Sequence, residues 1–524
     1  MNYDYVIMGA GSAGAIMAAR LSEDPSISVL LLDSGPHHGK VENLPGNLRY
    51  GYGVSGRDEN FWYSDSPDGK MFVADATPYQ PPMLVPRGTT FGGSSSVNAQ
   101  IFLRGEPDDY DTWGENWTTI WEYENCLPFF KKLENDLDFG GDFHGRSGPI
   151  QCLRIPRREW SADQEAFFQA TKSIGYPETL DHNDPDSTGV GPLPFNTVDR
   201  VRQSTWITYL LPILHRPNLT LRQKTKVVKL NIHEKTISSI SVETDGKSDQ
   251  VFGTQFILSA GAIGSPQIMM LSGLGPAGIL ESLGINPVLD IPGVGKNLRD
   301  HPQVALTWNV HPSYKFNTEA RAIQVAIRYT ATHSALRNDM LIHPVSFSRS
   351  KRNRGEIYTD DLESDLCVGM VASIYLANGQ GAMKLRSADP DIQPYLDYNY
   401  LTNQYDLDRL RESARLCIDI SRSDFYKDII SSPHNPFGFD TDDDDEMNIW
   451  LQRNVRTSHH ISGTCKMGPQ SDNMSVVDES GKVYGLSNIR VVDASIMPDC
   501  VRANTNVPTM MIAERIYALI KDTY

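Results

Sequence analysis

The chain has 524 residues, of which 40% are hydrophobic and 22% charged, a composition typical of globular proteins and long enough for two domains. Its formal charge of −17 argues against nucleic acid or an anionic membrane surface as the main partner. No run of about 18 apolar residues is present, so no transmembrane helix is expected.

Cysteine usage and the N-terminus indicate the compartment. Six cysteines without CxxC pairs predict reduced, structural thiols. The first residues run directly into a strand, without the basic and apolar regions of a signal peptide. We therefore expect a cytoplasmic protein that is a monomer or homodimer.

Strand and helix patterns alternate at both ends of the chain and from about residue 219 to 300. Strands are predicted at Tyr5–Met8, Ser28–Asp33, Leu219–Ile232, Ile237–Thr244, Gln255–Ser259 and Asn488–Val492, and also near Leu341–Phe347 and Gly369–Leu376. Helices are predicted near Ala13–Ser22, Glu165–Ser173, Gln267–Leu271, Leu407–Arg422 and Val507–Lys521. This pattern predicts an α/β fold with a Rossmann-like nucleotide domain (1–155, 219–309 and 456–524) and a second domain (156–218 and 310–455).

The first 35 residues have the features of a dinucleotide-binding βαβ unit. The apolar strand Tyr5–Met8 leads into a GxGxxG turn, in which Gly9 permits the turn, Gly11 admits a pyrophosphate and Gly14 lets helix and strand pack closely. The acid Asp33 ends the second strand, where it can accept hydrogen bonds from a ribose. A simple glycine-rich turn is the weaker alternative. The predicted contacts are Gly9, Gly11, Ser12, Ala13, Gly14, Asp33 and Ser34.

A second glycine- and serine-rich segment, Pro86–Asn98, points to the kind of dinucleotide. It offers many N–H and hydroxyl donors, which suit a pyrophosphate or the polar edge of a flavin. Because an apolar stretch follows at once, a buried loop facing a cofactor explains it better than a flexible linker does.

The histidines and acidic residues are ambiguous by themselves. Five histidines in polar surroundings are interpreted as surface or turn residues: His37, His38, His144, His182 and His233. His301 is interpreted as a structural residue near the cofactor. The pair His459–His460 precedes a tight turn and is compatible with catalysis, a core position or a metal site. The acidic run Asp440–Glu446 is predicted to be a solvated loop rather than a metal site, because it lacks calcium-loop spacing.

Five segments together resemble the glucose–methanol–choline (GMC) oxidoreductases, in particular choline dehydrogenase and alcohol oxidase types. They are PRGTTFGGSSSVNAQIFLRG from Pro86, GAIGSPQIMMLSGLGP from Gly261, PGVGKNLRDHP from Pro292, HHISGTCKMG from His459 and RVVDASIMP from Arg490. The resemblance implies an FAD-binding Rossmann-like domain and a substrate-binding domain built on a largely antiparallel, six-stranded sheet flanked by helices.

The resemblance also implies how FAD is held. Some relatives attach FAD through a histidine where this chain has Val97, so we expect non-covalent FAD. The implied cofactor contacts outside the first 35 residues are Arg87, Gly92, Gly93, Ser94, Asn98, Val227, Asp493, Ala494 and Asn504. Asp33 stands where the family more often has glutamate, and this shorter carboxylate should still reach a ribose.

The same resemblance implies a catalytic pair and a pocket wall. His460 matches the family's catalytic histidine and Asn504 its hydrogen-bonding partner, while Asn506 is a rival for that second position. His459 matches a wall of the substrate pocket, so His459, His460 and Asn504 are the predicted substrate contacts. A helix beginning near Val507 would place its N-terminus toward the flavin. No metal is expected.

The leading hypothesis is oxidation of an alcohol to a carbonyl, with proton abstraction by His460 and hydride transfer to flavin N5. The electron acceptor is oxygen or another carrier. A lyase or photodecarboxylase on the same FAD scaffold is the alternative, and a flavoprotein used only for binding is a third.

Overall fold

The computed structural model describes residues 2–50, 69–78, 80–115, 117–317, 319–349, 366–431 and 440–522. The predicted domain ranges also include residues outside this part of the chain, among them 51–68 and 350–365. The α-helices of the described residues are Ser12–Leu21, Gly46–Arg49, Pro107–Gly114, Tyr123–Leu133, Ala162–Ser173, Gly261–Leu271, Ala277–Ser282, Gln404–Ser421, Asp444–Asn454 and Asn506–Lys521. None of the helices within these ranges is long and apolar enough to cross a membrane.

A seven-stranded sheet, here the nucleotide sheet, is built around the N-terminal strand. Its strands lie in the order Leu219–Arg222, Val29–Leu32, Asn2–Met8, Lys247–Leu258, Thr236–Thr244 and Thr225–His233, and Ile489–Val491 also pairs with Lys247–Leu258. The first four strands and Ile489–Val491 run parallel, whereas the last three form an antiparallel meander. The second half of Asn2–Met8 is buried on both faces, which explains its continuous apolar sequence.

The second large sheet, here the substrate sheet, is antiparallel throughout. In spatial order its strands are Arg456–Thr457, Pro302–Asn309, Leu366–Ile374, Met340–Arg349, Val325–Tyr329 and Gly189–Pro192. The helices Ala162–Ser173 and Gln404–Ser421 pack against it. The predicted combination of a Rossmann-like unit and an antiparallel six-stranded sheet flanked by helices is thereby confirmed.

Smaller strand pairs complete the fold. They are Gly69–Ala74 with Met83–Gly88, Glu134–Asp136 with Ile150–Arg154 and Pro194–Phe195, Thr197–Val198 with Val201–Arg202, Leu274–Gly275 with Leu289–Asp290, and Ala382–Lys384 with Tyr395–Asp397.

Two predicted elements differ from those observed. The single strand predicted at Leu219–Ile232 is two strands, because the chain turns at Lys224, whose φ is 50°. The acidic run predicted as a loop contains the start of the helix Asp444–Asn454, where Asp443 accepts hydrogen bonds from the backbone N–H groups of Asp445 and Glu446. Acidic side chains favour a helix N-terminus because the free N–H groups there carry partial positive charge.

The strand Pro302–Asn309 bears on the predicted domain boundaries. The sequence placed residues up to 309 in the nucleotide domain, whereas this strand pairs entirely within the substrate sheet. The short strand Arg456–Thr457, assigned to the nucleotide domain as well, also pairs there. The division into domains stays a prediction, and this pairing favours a boundary near residue 301.

His144 and His182, predicted to lie at the surface or in turns, are buried, with 7% and 0% of their surface exposed. The His144 ring lies between three carboxylates: Nε2 is 2.7 Å from Asp181, and Nδ1 is 3.1 Å from Asp136 and 3.2 Å from Glu134. An imidazole and three carboxylates are side chains that could bind a metal ion, but Arg154 and Arg104 already pair with these carboxylates. The polar neighbours Asp142 and Arg146 are exposed, whereas the His144 ring between them is buried in this ion network.

This network predicts a pH-dependent stability. The three carboxylates raise the pKa of His144 from 6.5 to about 10. The contribution of His144 to the free energy of unfolding is therefore complete below pH 6.5 and is lost as the pH rises through 10. We expect His144→Gln to lower the free energy of unfolding by about 3 kcal/mol at pH 6.5, with the difference shrinking toward pH 10. Urea unfolding across this pH range measures it. His233→Gln, on an exposed strand end, should leave the free energy of unfolding unchanged at pH 6.5 and at pH 10. A destabilisation by His144→Gln that grows with pH would contradict the prediction.

Candidate active site

One cavity of about 610 Å³ connects the carboxyl edge of the nucleotide sheet to the end of the substrate sheet. Sixteen of the predicted site residues line it: Gly9, Gly11, Ser12, Ala13, Asp33, Ser34, Arg87, Gly93, Ser94, Asn98, Val227, His459, His460, Asp493, Ala494 and Asn504. Gly14 and Gly92 do not line it. They lie behind its wall, where Gly14 packs against Gly9 and Gly92 donates a hydrogen bond to the Ala10 carbonyl at 2.7 Å.

The glycines of the N-terminal turn have different surroundings. A Cβ on Gly14 would lie 1.9 Å from the Gly9 carbonyl oxygen, so the helix approaches the strand as closely as the backbone allows. A Cβ on Gly11 would meet nothing closer than the Gly93 Cα at 3.9 Å, and would therefore occupy cavity space. Open space beside backbone N–H groups at a helix N-terminus suits a pyrophosphate.

Asp33 is fixed at the rim of this turn. Its carboxylate accepts hydrogen bonds from the backbone N–H groups of Ala10 and Gly35, both at 2.8 Å. Burial raises the pKa of Asp33 to about 6. Since two donors leave further lone pairs free, the carboxylate can accept hydroxyl groups of a ribose.

The side chain of Asp493 is held by hydrogen-bond donors of the protein itself. Its carboxylate accepts hydrogen bonds from the Gly261 N–H at 2.8 Å, from the Ser265 hydroxyl and from both the N–H and the hydroxyl of Ser495. These four donors use the lone pairs of the carboxylate. The Asp493 side chain therefore holds the turns that contain Gly261 and Ser495 at the cavity wall. The backbone of Asp493 is the part available to a ligand.

At the other end of the cavity, Asn504 and Asn506 are separated by the turn that begins the C-terminal helix. The amide Nδ2 of Asn504 lies 3.0 Å from His460 Nε2, whereas Asn506 accepts a hydrogen bond from the Ser12 hydroxyl at 2.7 Å. Asn506 thus joins the C-terminal helix to the nucleotide turn. Of the two asparagines, Asn504 is the one placed to act with His460.

The other nitrogen of His460 faces a second histidine. His460 Nδ1 and His301 Nδ1 are 2.8 Å apart, and His301 Nε2 is 2.8 Å from the Val501 carbonyl oxygen. A carbonyl only accepts, so His301 Nε2 carries the proton and a neutral His301 has an acceptor at Nδ1. His460 Nδ1 must then donate. This leaves the lone pair of His460 on Nε2, toward Asn504.

Burial keeps these imidazoles neutral. It lowers the pKa of His301 to about 3 and, aided by the positive charge of Arg87, holds the pKa of His460 well below its usual value of 6.5. The segment itself is anchored by Asp300, a buried carboxylate that accepts the His460 N–H at 2.9 Å and the Tyr400 hydroxyl at 2.9 Å. Thr457 also donates its hydroxyl to Asp300.

His459 lines the cavity in a strained conformation. Its φ is 68°, in the left-handed region that a non-glycine residue rarely adopts. The guanidinium of Arg87 donates to the His459 carbonyl oxygen at 2.8 Å, and the His459 N–H donates to the Thr457 hydroxyl at 2.8 Å. Burial lowers the pKa of His459 to about 3. Arg87, predicted as a cofactor contact, therefore also holds this turn.

The sequence did not reveal several contacts around His460. Asp300 and His301 lie in the segment that begins at Pro292, but nothing in that segment revealed their contact with His460. Tyr375 stacks on the His301 ring with centroids 4.5 Å apart, and its hydroxyl lies 3.5 Å from Asn504 Oδ1. It falls in the stretch Gly369–Leu376, which the sequence predicted only as a strand.

Known proteins share both the sequence and the fold of this chain. Two family models described as GMC oxidoreductase match residues 3–303 and 377–513. The chain is 31% identical to an oxygen-dependent choline dehydrogenase of Photobacterium profundum, covering 98% of this chain and 92% of that one, and 33% identical to a 5-(hydroxymethyl)furfural oxidase of Methylovorus sp., covering 98% of both. The crystal structure of a pyridoxine 4-oxidase from Mesorbium loti superimposes with a TM-score of 0.89 at 26% identity, covering all of both chains. On these matches, which span nearly the whole chain, the protein belongs to the GMC oxidoreductase family.

Proposed function

We propose that the protein oxidises the CH–OH group of a small-molecule alcohol to a carbonyl, with His460 as the general base. Its family supports an FAD-dependent oxidoreductase that acts on alcohol-like substrates. The observation that carries the proposal is the hydrogen-bonded chain from Val501 through His301 to His460, which leaves the Nε2 lone pair of His460 beside Asn504.

In this arrangement the alcohol hydroxyl gives its proton to His460 Nε2. The imidazolium that results is stabilised because its Nδ1–H donates to His301 Nδ1. Asn504 Nδ2, 3.0 Å from the same nitrogen, donates to the substrate oxygen as negative charge develops there. The Tyr375 hydroxyl near Asn504 Oδ1 favours this orientation of the amide.

The described residues fit FAD. Membership of the family indicates this cofactor, and the open cradle at Gly11, the fixed carboxylate of Asp33 and the length of the cavity suit its pyrophosphate, ribose and ring system. When bound, FAD supplies the acceptor for the hydride that leaves the carbinol carbon. The backbone around Gly93 and Ser94, with Asn98, would hold the ring end, and Val227 would contact the adenine end.

We further propose that FAD is held without a covalent bond. Val97, buried and lining the cavity, offers an apolar side chain at the position where some relatives have a histidine tether. Precipitation of the holoenzyme with trichloroacetic acid should leave all of the flavin in the supernatant. Flavin that stays with the pellet would contradict this prediction.

The experiment that tests the function is anaerobic reduction of the holoenzyme in the dark by a panel of alcohols. Bleaching of the visible flavin absorbance, with formation of the matching aldehyde or ketone, is expected for a redox enzyme. If no alcohol bleaches the flavin and light alone drives product formation, the alternative of a photodecarboxylase is favoured. Repeating turnover with oxygen and with a dye acceptor identifies the electron acceptor.

His301 is expected to matter as a positioning residue. His301→Leu removes the acceptor for His460 Nδ1, so the lone pair of His460 no longer stays on Nε2, and the rate of flavin reduction should fall about 10²-fold. His301→Gln, whose amide oxygen can accept the same hydrogen bond, should recover part of this loss. The pH dependence of kcat/KM should shift in the leucine variant but not in the glutamine variant, whereas a purely structural role would alter neither profile.

A further inference from the structure

We infer that the alcohol carries an anionic group, such as a carboxylate, which binds beside Arg321 and Gln100. This inference rests on the proposed function and adds the charge class of the substrate. It starts from the Arg321 guanidinium, which lies directly behind the cavity-lining residues Ala99 and Gln100 and has hydrogen bonds but no counter-ion in the described part of the chain.

Arg321 touches the segment that forms the cavity wall. Its Nη2 donates to the Ala99 carbonyl oxygen at 3.0 Å, and its Nη1 is 3.4 Å from Gln100 Oε1. Both Ala99 and Gln100 line the same cavity as His460 and Asn504. The guanidinium also lies over the Phe195 ring, 4.2 Å from its centroid, which fixes its orientation.

No carboxylate of the described residues pairs with Arg321. The nearest acid in sequence, Glu319, pairs instead with Arg200 at 2.8 Å. The charge that acts on Arg321 is that of another cation, Arg202, which bonds the neighbouring Asn98. Burial and this repulsion lower the pKa of Arg321 to about 9, which still leaves it protonated at neutral pH.

Two hydrogen-bond donors at this point lack acceptors among the described residues. Gln100 is fully buried and its Nε2 has no hydrogen-bond partner, and the same holds for Nε of Arg321. Gln100 adopts a φ of 64°, so its placement is held at a conformational cost. Buried donors without acceptors are unfavourable, and a carboxylate offers only acceptor lone pairs. An anionic group at the cavity face of Gln100 accepts from the Gln100 amide and compensates the charge of Arg321 behind it.

The opposite substrate class fits poorly. A quaternary ammonium needs a carboxylate or an aromatic cage. Among the described residues, three carboxylates line the cavity: Asp33 beside the Ala10 N–H, Asp391 beside Lys226 and Asp493 beside the Gly261 N–H, all at its nucleotide end. Around His460 the described lining has no acidic residue. The relatives named for choline therefore do not indicate a cationic substrate for this chain.

The test compares isosteric alcohols that differ in charge: 4-(hydroxymethyl)benzoate, 4-(hydroxymethyl)benzamide and 4-(hydroxymethyl)-N,N,N-trimethylanilinium, together with 4-hydroxybutanoate and 4-hydroxybutanamide. In the wild-type holoenzyme, kcat/KM for each carboxylate should exceed that of its amide by about 10-fold or more, with the ammonium compound slowest. Arg321→Gln should bring the carboxylate-to-amide ratio close to one, Arg321→Lys should retain part of it, and Arg200→Gln should leave it unchanged.

A binding measurement gives a readout without turnover. Terephthalate, which has no alcohol to oxidise, should perturb the flavin spectrum of the wild-type holoenzyme, with a Kd about 10-fold higher in Arg321→Gln. Equal kcat/KM for carboxylate and amide in the wild type, or an equal loss for both in Arg321→Gln, overturns the inference. If no alcohol of any charge reduces the flavin, the proposed function fails, and terephthalate binding alone then decides whether the anion site exists.

Discussion

His460→Ala is expected to lower the rate of anaerobic flavin reduction by alcohols about 10³-fold. The substitution removes the Nε2 lone pair that lies 3.0 Å from Asn504, together with the His301 contact that would stabilise the imidazolium. His460 is the imidazole that contacts the Asn504 amide. Stopped-flow absorbance at the visible flavin maximum measures the rate directly.

The control separates chemistry from cofactor loss. FAD content and thermal unfolding of His460→Ala should match the wild type, because the segment is anchored by the His460 backbone N–H to Asp300, which alanine retains. His233→Ala, an exposed histidine, should reduce at the wild-type rate. A His460→Ala protein that holds FAD and is reduced at the wild-type rate would show that another group accepts the proton.

Gly14→Ala is expected to destabilise the protein by about 3 kcal/mol and to prevent FAD retention, whereas Gly11→Ala should fold normally but bind FAD at least about 10-fold more weakly. The methyl group added at Gly14 would lie 1.9 Å from the Gly9 carbonyl oxygen, which belongs to the backbone and cannot move without separating helix from strand. The methyl group added at Gly11 would instead occupy open space in the cavity.

Chemical unfolding of the apoproteins and FAD titration distinguish these two effects. Gly278→Ala is the matched control, because this glycine lies in the helix Ala277–Ser282 with no atom within 4 Å of the place a Cβ would take, and alanine favours a helix. It should be neutral or slightly stabilising. If Gly11→Ala binds FAD as tightly as the wild type, the pyrophosphate does not lie against Gly11.

The fingerprint from Gly9 to Asp33 and the segments typical of the GMC family could be identified in the sequence because each is a contiguous piece of chain. A strand, a turn and a helix N-terminus form within about 30 residues, and their spacing is visible without tertiary contacts. The same holds for Val97, since one residue in a recognisable motif shows that the histidine tether is missing. These features indicated the fold and the cofactor.

Tertiary structure decided what depends on residues far apart in the chain. His301 and His460 are 159 residues apart, and only their packing fixes which nitrogen of His460 holds the lone pair. Asn504 and Asn506 differ in their contacts because Asn506 is bonded to Ser12, a residue 494 positions away in the chain. His144 looked exposed because its local sequence is polar, whereas folding brings its ring against the strand Glu134–Asp136 and against Asp181, 37 residues away. The charge beside Gln100 comes from Arg321, and no local sequence pattern connects Arg321 to the segment Pro86–Asn98 that precedes Gln100. Burial and side-chain pairing are properties of the folded chain and not of adjacent residues in the sequence.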